Sequence, residues 1–255
     1  MKPTLTIAAS NKDRFQIGSP ATDLFVKSIQ WQTNTDFELL IADGGSKNYE
    51  EIKEYFAAHE GPVSMRIVQH KIEDVFLRAF LNNVGVRNAY GEYIMTTDVD
   101  MMFGKEFVNT LMDNVGPNNM VESRTLYWKY PVARMVYNGV LDPYNNLDAC
   151  RAGRIKKRTS AGGCQCMHID SWTKVRGFDE RFYGWGSEDY DLLGRCSRAK
   201  MKIKWMGEAP SSVMLFHQPH AKDVKRDLGF QKKNLKLLNA VNKGTVNPET
   251  WGGQP

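Results

Sequence analysis

The sequence predicts an α/β protein: a central, mostly parallel mixed sheet flanked by helices, in a single domain. Three observations predict it. Strand and helix signals alternate through the first half of the chain, turn-forming glycines and prolines punctuate them, and two aspartates close the last strand of the series. Leu5-Thr-Ile-Ala-Ala9 reads as the first strand, and Thr22–Gln32 as the first helix, with Thr22 and Asp23 suited to its start. Phe37-Glu-Leu-Leu-Ile-Ala42 is the second strand and ends in the turn Asp43-Gly-Gly-Ser46. Tyr49–His59 is a helix, Met65-Arg-Ile-Val68 a strand after Gly61-Pro62, and Val75–Tyr90 a longer helix. The run Gly91-Glu-Tyr-Ile-Met-Thr-Thr97 is short and partly β-branched and aromatic, so it reads as the strand that delivers Asp98 and Asp100.

Beyond Asp100 the pattern loosens. Thr125-Leu-Tyr-Trp-Lys-Tyr-Pro131 and Asp142-Pro-Tyr-Asn-Asn146 read as aromatic loops on the acceptor side of a site. The basic run with Arg151, Arg154, Lys156, Lys157 and Arg158 reads as a solvated loop or, alternatively, a clamp for phosphate or an anionic acceptor. Regular structure resumes at Gly162, and Val224–Val241 reads as a helix with Leu228, Leu235 and Leu238 on an apolar side. The domain divides into a first half (1–103), a second half (104–221) and a C-terminal helix and tail (222–255), and one domain with two functional halves is the simplest description.

Composition narrows the class. The 255 residues, 42% hydrophobic and 25% charged, are ordinary for a soluble globular protein with a substantial core. The 34 basic and 29 acidic residues leave a net charge of +5, too weak for a dedicated nucleic-acid binder but compatible with phosphates at a local site. No apolar stretch approaches the roughly 20 residues of a membrane span, and the start is too quickly polar for a signal peptide, so a cytoplasmic protein is expected. Cys150, Cys164, Cys166 and Cys196 form no spaced framework and predict free thiols. Cys164, Cys166 and His168 alternate, so they either share a strand face as soft metal ligands or pack as an ordinary strand.

Two acidic motifs carry the chemistry. In Thr97-Asp-Val-Asp100, carboxylates one residue apart point the same way on extended backbone, at the carboxyl end of a strand where open α/β sheets bind ligands. Clustered carboxylates repel unless a cation intervenes, and oxygen ligands suit Mg²⁺ or Mn²⁺, which also bind phosphate oxygens; a metal-bound diphosphate follows. The second motif, Tyr183-Gly-Trp-Gly-Ser-Glu-Asp-Tyr-Asp-Leu192, reads as a glycine-flanked Trp185 leading into a helix start with Ser187 as cap. That arrangement suits a sugar face stacked on indole beside a base.

In order, Ile41-Ala-Asp-Gly-Gly-Ser46, Phe76-Leu-Arg-Ala-Phe-Leu-Asn-Asn-Val-Gly85, Thr97-Asp-Val-Asp100 and Gly177-Phe-Asp-Glu-Arg-Phe-Tyr-Gly-Trp-Gly-Ser-Glu-Asp-Tyr-Asp191 give the chain a resemblance that extends over most of its length. It resembles nucleotide-diphosphosugar glycosyltransferases of the GT-A fold, in particular β-1,4-galactosyltransferases and chondroitin-polymerase-type domains. The resemblance implies that Asp43 receives the nucleotide base, with Ser10, Asn11 and Arg14 nearby and Arg78 approaching the donor. Gly44 stands where related patterns often have a second Asp. It implies that Asp98 contacts ribose or donor sugar, or the metal, and that Asp100 coordinates the metal. Met214-Leu-Phe-His217 resembles the Met-X-X-His metal pair of the galactosyltransferases, which nominates His217 and Met214, while His220 competes with His217. Asp189 aligns with the catalytic base, Glu188 with a sugar contact, and Trp185 with the acceptor site.

The implied reaction is a metal-dependent, inverting transfer of a hexose or N-acetylhexosamine from a UDP-sugar to a hydroxyl of a saccharide, glycolipid or glycoprotein, with Mn²⁺ or Mg²⁺ as cofactor. Two other classes compete. A non-catalytic module holding a nucleotide sugar or glycan would not hydrolyse its donor, and a nucleotidyltransferase would release pyrophosphate and use a glycine-rich phosphate loop, which Ser10-Asn-Lys-Asp-Arg14 lacks.

Overall fold

A computed structural model describes residues 3–73, 75–206, 210, 213–220, 224–240 and 247–253, with the backbone alone at 156–160 and 224–228. The first half folds as the alternation predicts. Strands β1 (Leu5–Asn11), β2 (Phe37–Asp43), β3 (Ser64–Gln69) and β4 (Tyr93–Asp98) are separated by helices α1 (Pro20–Gln30), α2 (Tyr49–Ala57) and α3 (Arg78–Arg87). Ser19 caps α1, its side chain accepting from the Thr22 amide, and Pro20 opens the helix with a preset φ. The helix therefore begins two residues before Thr22. Helix α3 is shorter than the apolar pattern suggests, starting at Arg78 rather than Val75.

The second half corrects the expectation of loops. After β5 (Met101–Phe103) and α4 (Phe107–Asn114), the chain forms β6 (Asn119–Glu122), β7 (Thr125–Trp128), α5 (Tyr130–Tyr137), α6 (Leu147–Ala152) and β8 (Arg154–Ser160). The aromatic segment is thus a strand and a helix, and the basic run spans α6 and β8. The side chains of Lys156, Lys157 and Arg158 lie outside the described residues. Next come β9 (Gln165–His168), α7 (Ile169–Val175), α8 (Glu188–Arg198), β10 (Lys202–Trp205), β11 (Leu215–His217) and α9 (Val224–Ala240).

Seven strands make the central sheet in the order β10-β6-β9-β4-β1-β2-β3. It is parallel except at β9, which runs antiparallel to both β4 and β6. A second sheet, β5-β11-β7-β8, was not anticipated from the sequence and places β11 beside the end of β4.

Strand alternation divides the core. Leu5, Ile7, Ala9, Met95, Val121 and Cys166 face one side with Phe25 and Ile29 of α1 and Phe107 of α4. Ala8, Ile94, Met120 and Met167 face the other, with Trp172, Phe178, Leu192 and Trp251. Helix α3 lies close on that second face: a Cβ at Gly85 would come within 2.9 Å of Ala8 Cβ. Cys164 and Cys166 are core residues, with burial raising both thiols, and His168 pairs with Glu92, so these three do not converge on a metal. Among the described residues, no helix is long and apolar enough to cross a membrane.

Candidate functional site

The site lies where the second face of the sheet meets the first turns of α3 and α8. Arg78, at the start of α3, is only 2% exposed. Its guanidinium joins the two acidic motifs: Nε donates to Asp98 Oδ1 at 2.9 Å, and Nη1 to Glu188 Oε1 at 3.0 Å and Asp189 Oδ1 at 2.8 Å. Nη2 donates to the Gly162 carbonyl at 2.6 Å. Burial opposes the charge, but Asp189, Asp98 and Glu188 outweigh it and hold Arg78 well above its ordinary value. A planar fork can serve four acceptors at once, which a lysine cannot.

Asp189 responds to the same setting. Burial is the largest influence, and with repulsion from Glu188 and Asp98 it overcomes Arg78 and raises the carboxyl to about 7. Helix α8 starts one residue earlier, after Ser187, which has φ 74 and makes no side-chain cap, correcting the expectation that it would. Glu188 Oε2 instead accepts from the Gly186 amide at 2.7 Å, closing the glycine-rich approach on itself.

The second cluster is separate. The i, i+2 spacing suggests that Asp98 and Asp100 share an extended backbone, but β4 ends at Asp98 and Val99-Asp100 turn before β5. The turn sends the two carboxylates to different partners. Asp98 accepts from Arg78 and from Ser10 Oγ at 3.0 Å, whereas Asp100 meets Arg14, His217 and His220. Arg14 Nη1 is 2.6 Å from Asp100 Oδ2, with His220 Nε2 at 3.4 Å from the same oxygen and His217 Nε2 at 3.7 Å from Oδ1. Burial works against ionisation of Asp100, but His217, Arg14 and His220 together hold its carboxyl below the usual range.

This corner fits a divalent cation. One ligand atom from each of Asp100, His217 and His220 lies within 4.8 Å of the others. Asp100 Oδ1 and His217 Nδ1 are buried without a hydrogen-bond partner, a costly state that a bound ion can relieve at the carboxylate. One carboxylate oxygen and two imidazoles suit a divalent transition-metal ion. His217 is further held by stacking on Tyr127, with ring centroids 4.8 Å apart and planes inclined by 26°. Met214 does not join them. It lies one residue before β11 on the face shared with Phe216, packed with Met102, Leu126 and Trp128, because alternation sends His217 the other way. Replacing His217 or His220 by Ala is expected to weaken Mn²⁺ binding by about tenfold or more in isothermal titration; unchanged affinity in both variants would remove the corner as a metal site.

A cavity of about 480 Å³ connects the clusters, lined by Arg14, Arg78, Asp98, Trp185, Asp189 and His217 among others. Asp43, Ser10, Asn11 and Glu188 do not line it. Asp43 is fully buried, and its oxygens accept from Asn11 Nδ2 at 2.8 Å and the amides of Gly45 and Ser46 at 2.9 and 2.8 Å. As placed, Asp43 and Asn11 organise the turn after β2. Gly162, with φ +97, lies so close over Asp189 that a Cβ there would overlap Oδ2. Gly162→Ala is therefore expected to displace Asp189, visible as loss of the carboxyl's titration near neutrality in carboxyl-labelled NMR.

Comparison with known proteins agrees with this layout. Among solved structures, a Pyrobaculum calidifontis mannosyltransferase in complex with GDP-Man and Mn²⁺ superposes with a TM-score of 0.62 at 14% identity, covering 98% of this chain and 68% of that one. The fold is GT-A. GalNAc-T7 with UDP, GalNAc and Mn²⁺ shares this GT-A architecture at a TM-score of 0.64 and 11% identity, over 93% of this chain and 48% of that one. A family model described as the N-terminal domain of galactosyltransferase matches residues 146–218. Mouse chondroitin sulfate N-acetylgalactosaminyltransferase 2 is 29% identical over 163 residues, 60% of this chain and 28% of the relative. The chain spans well under a third of the length of the curated relatives it matches, with shares of 16% to 28% in the first three. In sequence and in structure it resembles the nucleotide-sugar glycosyltransferases of the GT-A fold.

Proposed function

We propose that this GT-A chain is a metal-dependent, inverting glycosyltransferase that moves a hexose or N-acetylhexosamine from a UDP-sugar to an acceptor hydroxyl. The observation that carries the proposal is Asp189, a carboxylate raised to about 7 that lines the same cavity as His217 and His220. Such a group is poised to take a proton near neutral pH. The glycosyltransferase relatives and the nucleotide complexes of the structural neighbours support the donor class.

In this reading Arg78 fixes Asp189 Oδ1, and Oδ2, packed over Gly162, takes the proton of the acceptor hydroxyl. The acceptor oxygen forms its bond to the anomeric carbon as the bond from that carbon to UDP breaks on the opposite side, so the configuration inverts. The proton passes from Asp189 to solvent after the product leaves. Trp185 offers its indole face to the acceptor, and Asp98, held by Ser10 and Arg78, is set to meet ribose or donor sugar. Asp100, His217 and His220 would hold a Mn²⁺-like ion, which when bound supplies Lewis-acid neutralisation of charge on the departing diphosphate. Arg14, already paired with Asp100, brings a second positive group to the diphosphate side. The resemblance that carries Asp43 to the base contact requires the turn after β2 to reorganise when donor binds. Four free cysteines fit a reducing compartment and support a cytoplasmic place of action.

The test is UDP release from a panel of UDP-sugars with Mn²⁺, with and without a saccharide acceptor. Donor-dependent UDP release that stops on chelation is expected. Pyrophosphate release, or binding with no turnover of any donor, would contradict the proposal.

A further inference from the structure

Helix α9 buries an amide and exposes a leucine where it meets the cavity. Leu235 is 53% exposed at the cavity wall, whereas Asn234, its neighbour in the chain, is 2% exposed. An amphipathic helix normally makes the opposite assignment. Phe230 and Gln231 of the same helix also line the cavity, together with Trp185. A buried amide has to find partners for its donors and its acceptor, and Asn234 finds them on a single loop.

That loop is Tyr183-Gly-Trp-Gly186, the glycine-flanked approach to α8. Asn234 Oδ1 accepts from the Tyr183 amide at 3.2 Å, and Nδ2 donates to the carbonyls of Tyr183 at 3.0 Å and Trp185 at 3.3 Å. By exchanging both kinds of bond with Tyr183, the side chain does for that residue what a paired strand would. The loop needs such a partner, because Gly184 and Gly186, at φ 71 and 109, hold the backbone in a shape that no helix or strand ladder satisfies. The Arg78 amide anchors the other side, donating to the Gly184 carbonyl at 3.3 Å. Phe230 closes the contact: its ring meets that of Tyr183 edge-on, with centroids 5.5 Å apart, and a Cβ on Gly184 would come within 2.6 Å of it.

We propose that Asn234 is a positioning residue for the acceptor: it ties the Trp185 loop to α9, so that the indole and the exposed Leu235 form one wall beside the base. The assignment rests on the reading of Trp185 as the acceptor contact, and its first test requires no turnover. The full chain is labelled with 5-fluorotryptophan, and the Trp185 signal, one of six, is assigned with Trp185→Phe. In Asn234→Ala that signal should shift and become more strongly broadened by a soluble nitroxide, while the other tryptophan signals stay as in the wild type.

The kinetic counterpart uses the saccharide that most stimulates UDP release: Asn234→Ala should raise its KM by about tenfold with kcat within about threefold, because the lost interaction is one of binding. The affinity for UDP with Mn²⁺, measured by isothermal titration, should not change. A Trp185 signal identical in the variant and the wild type, or an unchanged acceptor KM, would overturn the proposal, as would a loss that falls equally on UDP. If Asn234→Ala fails to fold, Asn234→Asp decides it by the same signal, since it has the same size and keeps only the bond from the Tyr183 amide. Should the signal move as expected while no donor is turned over, the transferase reading fails and the hold of Asn234 on the Trp185 loop stands.

Discussion

Replacing Asp189 by Asn is expected to lower kcat for transfer by on the order of 10³-fold while leaving UDP and Mn²⁺ binding within about twofold of wild type. The size follows from the usual range for a positioned general base, roughly 10² to 10⁴, or about 4 kcal/mol of transition-state stabilisation. Binding should survive because Asp189 touches Arg78 and the Gly162 turn and is not part of the Asp100, His217 and His220 corner. The pH dependence supplies an independent reading. A base must be unprotonated to act, so wild-type kcat should rise with pH through about 7, and the Asn variant should lose that limb. Stability should run in the opposite direction. The folded-state pKa of Asp189 is raised above its unfolded value, so the native state binds the proton more tightly. That contribution is complete below the unfolded pKa and is lost as pH rises through about 7. Chemical denaturation of the Asn variant across this window should show a shallower decline than the wild type. Turnover near wild-type levels in the Asn variant would remove Asp189 from the mechanism.

Arg78→Met should be the most destabilising single change in the site. The guanidinium is the counter-charge for Asp98, Glu188 and Asp189, and its removal leaves carboxylates facing one another in a buried space. Breaking such a network by deleting one partner costs about 3–5 kcal/mol, which corresponds to a fall in Tm of roughly 10 °C in a chain of this size. Two refinements distinguish this from simple loss of packing. The deficit should shrink toward pH 5, because the exposed repulsion is relieved as the carboxyls take up protons. Arg78→Lys should restore part of the charge balance but not activity, since a single ammonium cannot span Asp98, the Glu188–Asp189 pair and the Gly162 carbonyl together. Differential scanning calorimetry at pH 5 and pH 8 measures both effects, and a Met variant that melts with the wild type at pH 8 would contradict them.

Much of the first half of the chain was legible in the sequence because its signals are local. Apolar runs such as Phe37–Asp43 and turn residues such as Gly91 mark their elements without long-range information. The second sheet was not legible. Strands β7 and β8 carry aromatic and basic residues that mimic loop composition, and their pairing to each other and to β11 is a tertiary event. The two acidic motifs were found, but their partnership was mis-drawn: the turn at Val99-Asp100 separates Asp98 from Asp100, and Arg78, far away in sequence, joins Asp98 to Asp189 instead. The resemblance of Met214-Leu-Phe-His217 to a Met-X-X-His metal pair nominated Met214, and strand alternation beside β11 put it in the core.

The account rests on one cation site serving the same cavity as the base. Diffraction data collected at the manganese absorption edge from crystals grown with Mn²⁺ and UDP address it directly. The account predicts one strong anomalous peak bounded by Asp100, His217 and His220 and touching the diphosphate; UDP bound in the cavity with no peak at that corner, or with manganese elsewhere, would contradict it.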